Sequence, residues 1–481
     1  MNALFQAENV AVQAGADQLV HATSLTLHSG RPFTILGETG SGKSLLAQAM
    51  IGTLPSTLQA SGQVKYANEA FDLADQGKLR VLWGKSIAIL PQEPWLALDP
   101  LMKAREQVAE GYALLAKSSW REARQQADRD LRELDLDGAG ERLPHQLSGG
   151  MAQRVAFAAA RTGRARVLVA DEPTKGLDVI RRDDVIGLLQ RELAEGGALL
   201  TITHDIELAR QLGGELAIVL EGKIIERGEA SSILTNPQHD YTRRLIAADP
   251  SSWPVPRPFA LTGEPVIAAQ ELSVTRGGRL LFGDLDISLR RGEILGIFGP
   301  SGCGKSTLGD LLLGLKRPDR GRIIRDANFS PRQFQKLYQD PPSAFPPELR
   351  IGQAISDVVK RYDIGQERVP ALMQRLRLSS ILLDRYPNEV SGGELQRLAL
   401  LRTLLLDPVL LFADEPTSRL DLITQAEVIT LLKDVARDSG MATLIVSHDL
   451  DLLKKTADSI VTLATEAVRA DCDLKSANQM M

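Results

Sequence analysis

Cysteine is scarce in this chain of 481 residues, which contains Cys303 and Cys472 and no other thiol. Two thiols cannot build a disulfide framework or a four-thiolate metal site, so neither disulfides nor zinc modules are expected to shape the fold. Such low cysteine usage fits a reducing, cytosolic compartment. The chemistry must therefore rest on other residue types.

Long apolar runs are also missing. The most apolar stretch, LALLRTLLLDPVLLFADEP, is interrupted by Arg402, Asp407 and Pro408, and it predicts a buried helix followed by a buried strand instead of a membrane span. The first residues lack a basic start followed by an apolar core, so we expect no secretory signal. A net charge of −5 gives no general attraction to nucleic acid. Any role at a membrane would require a partner, and no nucleic-acid partner is expected.

What the chain does contain is a repeat of a whole domain. ILGETGSGKS recurs as IFGPSGCGKS, LSGGMAQRVA as VSGGELQRLA, and VLVADEPTKGLD as VLLFADEPTSRLD, in the same order. The second copy is about fifteen residues shorter between its lysine and its glutamine, which predicts a trimmed loop or hairpin. Apolar strands alternate with helices in both copies and predict an α/β fold with a parallel sheet covered on both faces. We expect domains at 1–248 and 266–481, joined by a proline-rich linker at 249–265.

Each copy opens with the pattern G-x-x-x-x-G-K-[ST] between an apolar strand and a helix. Its backbone N–H groups are predicted to surround phosphate oxygens, its lysine to reach the β and γ oxygens, and its serine hydroxyl to ligate Mg²⁺. An ordinary glycine-rich turn is the alternative, and two matches in the right context argue against it. The predicted phosphate-binding residues are Gly37, Glu38, Thr39, Gly40, Ser41, Gly42, Lys43 and Ser44, then Gly299, Pro300, Ser301, Gly302, Cys303, Gly304, Lys305, Ser306 and Thr307.

Paired carboxylates end a later apolar strand in each copy. Asp171 and Asp414 are predicted to hold the Mg²⁺ shell, while Glu172 and Glu415 polarise the water that attacks the γ-phosphate. A solvated Asp-Glu pair is the alternative. The four apolar residues before each pair make a solvated loop a poor fit.

Histidine and glutamine complete the predicted catalytic set. His204 and His448 follow apolar strands at nearly the same distance from their glutamates, which favours a hydrogen bond to the γ-phosphate over a purely structural role. Gln92 and Gln339 lie in proline-rich loops and are predicted to approach Mg²⁺ and the water.

This ordered series resembles the ATP-binding-cassette ATPases, twice over and across nearly the whole chain. The resemblance implies P-loop NTPase cassettes in two tandem copies, each with a mostly parallel sheet core, an antiparallel β part and a helical subdomain. It also implies a head-to-tail cassette dimer that sandwiches two ATP with Mg²⁺. Ser148, Gly149 and Gly150 would then cover the nucleotide at Lys305. The remaining residues implied in this way are Ser391, Gly392 and Gly393 over the nucleotide at Lys43, and Asp178 and Asp421 in the loops that cross between the sites.

A narrower resemblance links NPQHDYTRRLIAADP, residues 236–250, to the dipeptide, oligopeptide and nickel importer group. It implies two separate permease subunits, an extracytoplasmic binding protein, and a peripheral position on the cytoplasmic face of the inner membrane. Peptides, nickel and metal–chelator complexes, including opine-type metallophores, are the substrates it allows. The group's cysteines are missing here, so no iron–sulfur cluster is expected. The aromatic residue that stacks on adenine is also missing, and Arg276 could replace it in the second copy.

Other classes of tandem cassette protein fit this sequence less well than a transporter motor. Soluble tandem cassettes that act on ribosomes or DNA carry a long basic arm or zinc modules between the cassettes, whereas this linker is short and nearly uncharged. A scaffold without turnover would have lost a glutamate or a histidine. An export motor stays open, because import rests on the closing segment alone. Both copies keep their lysine, glutamate, histidine and Ser-Gly-Gly, so we expect two competent sites.

Overall fold

The computed structural model describes residues 2–67, 69–91, 97–174, 179–256, 264–300, 302–418 and 420–463. The chain divides into two units, residues 1–246 and 247–481. Residues 257–263 of the predicted linker lie outside the described residues.

The first unit begins with strands and alternates strands with helices after its phosphate loop. Its strands are β1 Ala3–Ala14, β2 Asp17–His28, β3 Pro32–Leu36, β4 Gln59–Tyr66, β5 Glu69–Asp72, β6 Ile87–Leu90, β7 Val167–Asp171, β8 Ala198–Thr203, β9 Glu215–Leu220 and β10 Lys223–Glu229. Its helices are α1 Lys43–Ile51, α2 Ala104–Leu114, α3 Trp120–Glu133, α4 Gly149–Arg161, α5 Val179–Ala194, α6 Ile206–Leu212, α7 Ala230–Thr235 and α8 Asp240–Ala247, which ends at the boundary.

The second unit repeats this order with fewer elements in its described part. Its strands are β11 Pro265–Arg276, β12 Arg279–Arg290, β13 Ile294–Phe298, β14 Arg320–Arg325, β15 Phe334–Leu337, β16 Leu410–Asp414, β17 Ala442–Ser447 and β18 Ser459–Thr462. Its helices are α9 Lys305–Leu312, α10 Ile351–Arg361, α11 Arg368–Arg375, α12 Gly392–Leu404, α13 Leu422–Ser439 and α14 Leu450–Thr456.

Each unit contains one mainly parallel sheet and one antiparallel sheet. The first unit has the strand orders β10-β9-β3-β8-β7-β6, parallel except for β10, and β2-β1-β4-β5. The second unit has the parallel order β15-β16-β17-β13-β18 and the antiparallel order β12-β11-β14. The predicted α/β cassette fold with a parallel core sheet is confirmed.

Both faces of each parallel sheet are buried, because successive side chains of a strand point to opposite faces. In β8, Leu199 belongs to the core formed with α2–α5, while Leu200 and Ile202 belong to the core formed with α1 and the antiparallel sheet. In β16, Leu411 and Phe412 divide in the same way between two cores. This double burial explains why the strands read as continuous apolar runs.

The shorter interval of the second copy corresponds to a missing hairpin strand. In the first unit β5 pairs with β4 and leads into a 3₁₀ turn at Gln76–Leu82. In the described part of the second unit, β14 has no such partner, and a single 3₁₀ turn at Pro331–Gln333 precedes β15. The predicted trimming of a hairpin is therefore confirmed.

The most apolar stretch of the chain forms the buried helix α12 and the buried strand β16, as predicted. Among the described helices, none combines the length and the hydropathy needed to cross a bilayer.

The two units fill the space between phosphate-loop helix and core sheet differently. A Cβ atom built on Gly309 in α9 would lie 2.1 Å from the ring of Phe412 in β16. The equivalent residues of the first unit are Ala47 and Val169, both buried. Glycine against phenylalanine in the second unit thus takes the place of alanine and valine in the first.

We predict that Gly309→Ala destabilises the second unit by about 1–3 kcal/mol, because the added methyl group overpacks the contact with Phe412. Thermal unfolding with limited proteolysis of that unit measures the effect. Gly187→Ala in α5 is the matched control, since its Cβ meets nothing within 4 Å, and it should stabilise by up to about 1 kcal/mol. Adding Phe412→Val to Gly309→Ala should restore stability; a Gly309→Ala variant as stable as the parent chain would contradict this account.

Candidate nucleotide-binding sites

Each phosphate loop connects the end of a buried strand to the first turn of a helix. Gly40 and Gly42 have φ of 85° and 93°, and Gly302 and Gly304 have φ of 80° and 103°, all in the left-handed region that glycine adopts without strain. The loops end where α1 and α9 begin, and the N–H groups of a first helical turn have no acceptor within the helix. The backbone therefore offers an anion site at the positive end of a helix in both units.

The lysine of each loop is buried and held by the loop itself. Lys43 is 5% exposed, and its Nζ donates to the carbonyl oxygens of Gly37 and Glu38, both at 2.7 Å. Lys305 is 7% exposed, and its Nζ donates to the carbonyl oxygens of Gly299 at 2.6 Å and Pro300 at 3.1 Å. A buried ammonium group is thus satisfied by carbonyl dipoles and fixed at the loop.

The closing segment of the first unit reaches its phosphate loop. The buried Tyr241 in α8 accepts a hydrogen bond at its hydroxyl oxygen from the backbone N–H of Glu38, at 3.2 Å. Sequence reasoning identified this segment only by resemblance and missed the contact.

In the second unit, Arg276 is the last residue of β11 and its side chain is half-exposed. Its Nη1 atom lies 3.6 Å from Asp319 Oδ1.

The structure brings the loop serine and the strand-end aspartate together in both units. Ser44 Oγ lies 3.2 Å from Asp171 Oδ1, and Ser306 Oγ lies 3.1 Å from Asp414 Oδ1. Hydroxyl and carboxylate oxygens are ligands that Mg²⁺ prefers. The donor set therefore fits a magnesium ion in each unit.

The glutamate that follows each aspartate takes up an unusual backbone conformation. Glu172 and Glu415 have φ of 49° and 44°, which is rare for residues other than glycine and asparagine. Their N–H groups still donate to the neighbouring strand, to Ile202 O at 2.8 Å and Val446 O at 3.1 Å. The chain therefore turns within one residue of the strand end, and strained geometry of this kind is frequent at functional sites.

A histidine contacts the glutamate in both units. In the first unit, His204 Nδ1 lies 2.8 Å from Glu172 Oε2. Burial alone would raise the pKa of Glu172, but the interaction with His204 and the positive charge of Lys43 hold that pKa below its usual value. Glu172 is consequently ionised at neutral pH.

In the second unit the predicted glutamine also contacts the glutamate. Gln339 Nε2 donates to Glu415 Oε2 at 2.9 Å, and His448 Nδ1 lies 3.7 Å from the same oxygen. Burial raises the pKa of Glu415, while His448 and Lys305 lower it and prevail. The carboxylate of Glu415 in turn raises the pKa of His448 above its usual value, against the effect of burial.

The Ser-Gly-Gly segments both form helix starts. Ser148 caps α4 by accepting from Met151 N at 3.4 Å, and Ser391 caps α12 within a capping box that includes Glu394. Asp421 caps α13 by accepting from Thr424 N at 2.9 Å. Three other predicted site residues, Gln92, Asp178 and Ser301, lie outside the described residues.

Sequence reasoning missed one charged residue beside the second site. Lys336 in β15 lies with its Nζ 3.4 Å from Asp414 Oδ2 and 3.0 Å from Asp310 Oδ1. A lysine between the apolar residues Phe334 and Leu337 of this short strand was the available signal. Together, these contacts give each unit the features of a P-loop ATPase.

Comparison with known proteins extends this result. A family model described as ABC transporter matches residues 20–175 and 282–418. The peptidoglycan transport ATP-binding protein YejF of Agrobacterium fabrum is 33% identical over 485 residues, which cover 94% of this chain and 88% of that protein. The glutathione import ATP-binding protein GsiA of Escherichia coli O6:H1 is 33% identical over 511 residues, covering 92% of this chain and 81% of that protein.

A solved structure is similar in fold. The crystal structure of archaeal ribosome recycling factor aABCE1 with ribosomal stalk protein aP1 matches with a TM-score of 0.64 and 22% identity, over 92% of this chain and 84% of that chain. The chain belongs to the ABC transporter family and carries two cassette regions. It is an ATPase subunit of this family, whose ATP-binding domains bind ATP, generally with Mg²⁺.

We predict that Glu415→Gln lowers the pKa of His448, because the neutral amide no longer stabilises the imidazolium and burial then disfavours the charge. Histidine NMR titration of the full chain, assigned with a His448→Gln variant, measures the change. Glu348→Gln, at an exposed position, is the control and should leave the titration of His448 unaltered. The prediction fails if His448 titrates identically in the Glu415→Gln and parent chains.

Proposed function

We propose that this chain is the motor of an ABC importer and supplies both ATP sites of the transporter. The observation that carries this proposal is the same constellation in each unit: a phosphate-loop lysine, a serine–aspartate pair and a glutamate–histidine pair. All of these residues are described in both units, and both units contain the complete set. Two competent sites are therefore expected, one in the cassette at 1–248 and one in the cassette at 266–481, with a linker at 249–265.

The residues of each site divide the reaction between them. Lys43 and Lys305, with the backbone N–H groups of their loops, bind the β- and γ-phosphates. Ser44 with Asp171 and Gln92, and Ser306 with Asp414 and Gln339, would hold Mg²⁺. When bound, Mg²⁺ neutralises charge on the phosphate oxygens.

The glutamates act on the attacking water. Glu172 and Glu415, ionised because of their lowered pKa values, accept a hydrogen bond from the water and polarise it towards the γ-phosphate. His204 and His448, which contact these glutamates, would also donate a hydrogen bond to the γ-phosphate.

Each site is completed by the other cassette in this proposal. Ser148 with its two glycines would bind the nucleotide at Lys305, and Ser391 with its two glycines the nucleotide at Lys43. Support comes from the position of both segments at helix starts, where backbone N–H groups favour anions. Asp178 and Asp421 would contribute at the crossing between the sites.

Uptake of peptides or peptide-like compounds fits the relatives best. One relative is named for peptidoglycan transport and another for glutathione import. Nickel and metal–chelator complexes are also allowed by the sequence resemblance but appear in neither name. We propose two integral-membrane permeases and an extracytoplasmic binding protein as partners, with this chain peripheral at the cytoplasmic face. At 22% identity, the match to a ribosome recycling factor concerns the fold and gives no support to a ribosomal role.

We predict that Glu172→Gln and Glu415→Gln each sharply reduce ATP turnover, and that both together reduce it about 100-fold or more, because the water loses its polarising carboxylate. Steady-state phosphate release measures turnover, and binding of a fluorescent ATP analogue should be preserved. Glu195→Gln, an exposed partner of Arg161, is the control and should leave turnover unchanged. Full activity in either single variant would contradict two competent sites.

We also predict that Ser148→Cys crosslinks to Ser301→Cys when ATP is bound, in a chain whose native cysteines are replaced by serine. The paired control is Ser148→Cys with Thr39→Cys, since Thr39 occupies the equivalent position of the first phosphate loop. Mass shift on non-reducing gels reports the bond. Crosslinking to Thr39→Cys instead of Ser301→Cys would refute the head-to-tail arrangement.

A further inference from the structure

Lys336 is a largely buried cation beside Asp414, the carboxylate proposed to hold Mg²⁺ in the second unit. Its side chain is 13% exposed, and those of its partners Asp310 and Asp414 are 16% and 9% exposed. The Nζ atom lies 3.0 Å from Asp310 Oδ1 and 3.4 Å from Asp414 Oδ2. The other oxygen of Asp414 accepts a hydrogen bond from the hydroxyl group of Ser306. One oxygen of Asp414 is thus paired with a lysine, and the other with the loop serine.

Asp310 holds the lysine in this position. It lies in α9, five residues after Lys305, and contacts Lys316 at 2.8 Å as well as Lys336. Burial alone would raise the pKa of Asp310, but the two lysines lower it and prevail, so the carboxylate is ionised. Lys336 also lies over the rings of Phe412 and Tyr338, at 5.3 and 5.4 Å, which fixes its side chain further.

The first cassette has a different pair of residues at these positions. In the second unit Lys336 pairs in register with Phe412, two residues before Asp414. In the first unit Ile89 pairs with Val169, two residues before Asp171, so Ile89 is the equivalent of Lys336. Gln48, five residues after Lys43, is the equivalent of Asp310. The lysine–aspartate pair is thus a feature of the second cassette.

A fixed positive charge beside Asp414 opposes a second cation at the same carboxylate. Charges that are buried and only a few ångströms apart are weakly screened, so this repulsion is much larger than it would be in water. The same charge attracts the phosphates of ATP. Metal binding and nucleotide binding should therefore respond to Lys336 in opposite directions.

We propose that Lys336, positioned by Asp310, competes with the divalent cation for Asp414 and makes the second ATP site depend less on metal than the first. Lys336 is a positioning residue in this scheme, because it acts through Asp414. The inference rests on the proposed function, in which Asp171 and Asp414 hold the metal.

The test isolates each site in the full chain and compares ATP binding with and without metal. Lys43→Ala with Glu415→Gln leaves the second site, and Lys305→Ala with Glu172→Gln leaves the first. The dissociation constant of ATP is measured by equilibrium dialysis in EDTA and in saturating Mn²⁺. The factor by which Mn²⁺ tightens ATP binding should be about tenfold smaller at the second site.

Exchanging the residue pairs should exchange this behaviour. Lys336→Ile with Asp310→Gln should raise the Mn²⁺ factor of the second site about tenfold and leave ATP binding in EDTA unchanged or weaker. The reciprocal change, Ile89→Lys with Gln48→Asp, should lower the factor of the first site. Lys336→Met removes the same charge while keeping the side-chain volume and the contact of Asp310 with Lys316. It should raise the Mn²⁺ factor of the second site in the same way, and it serves as the alternative variant if the double exchange does not fold.

The possible outcomes separate this inference from the proposed function. Equal Mn²⁺ factors at the two sites, or no change on removing Lys336, would overturn the role of Lys336 while the proposed function stands. Parallel weakening of ATP binding in EDTA and in Mn²⁺ would mean that Lys336 is merely structural and would also overturn it. Failure of both isolated sites to bind ATP would instead overturn the proposed function.

Discussion

A buried ammonium group is the constraint around which each site is built. Lys43 and Lys305 lie almost fully inside the protein, where a charge is costly unless nearby dipoles or opposite charges stabilise it. Carbonyl oxygens of the phosphate loop supply part of that stabilisation, and in the second unit Glu415 Oε1 lies 3.9 Å from the ammonium. The glycine conformations of the loop, its helix start and the strand-end carboxylates all converge on this lysine.

The two cassettes share this arrangement but differ in the contacts of the proposed catalytic glutamate and in the packing behind the phosphate loop. His204 Nδ1 lies 2.8 Å from Glu172 Oε2, whereas His448 Nδ1 lies 3.7 Å from Glu415 Oε2. Packing behind the loop differs as well, with Gly309 against Phe412 in the second unit only. The two sites therefore have the same chemistry in distinct surroundings, and equal composition of the motifs does not imply equal metal or nucleotide affinity.

Sequence predicted the parts of the fold that depend on local pattern. The repeat, the strand–loop–helix context of Lys43 and Lys305, and the missing hairpin strand could all be read from residue order, because glycine spacing and apolar runs have few structural solutions. Contacts between distant segments could not be read in this way. Tyr241 reaches Glu38 across some two hundred residues, and Lys336 meets Asp414 only because β15 and β16 are adjacent. The left-handed conformation of Glu172 and Glu415 was equally hidden, since no glycine marks it.

The central claim is that one chain carries two ATP sites that complete each other. It is tested most directly by counting the nucleotides trapped by a chain with Glu172→Gln and Glu415→Gln, using native mass spectrometry in the presence of Mg²⁺ and ATP. The account predicts particles that contain a single chain and two ATP. Particles with one ATP per chain, or trapping that requires two chains, would contradict it.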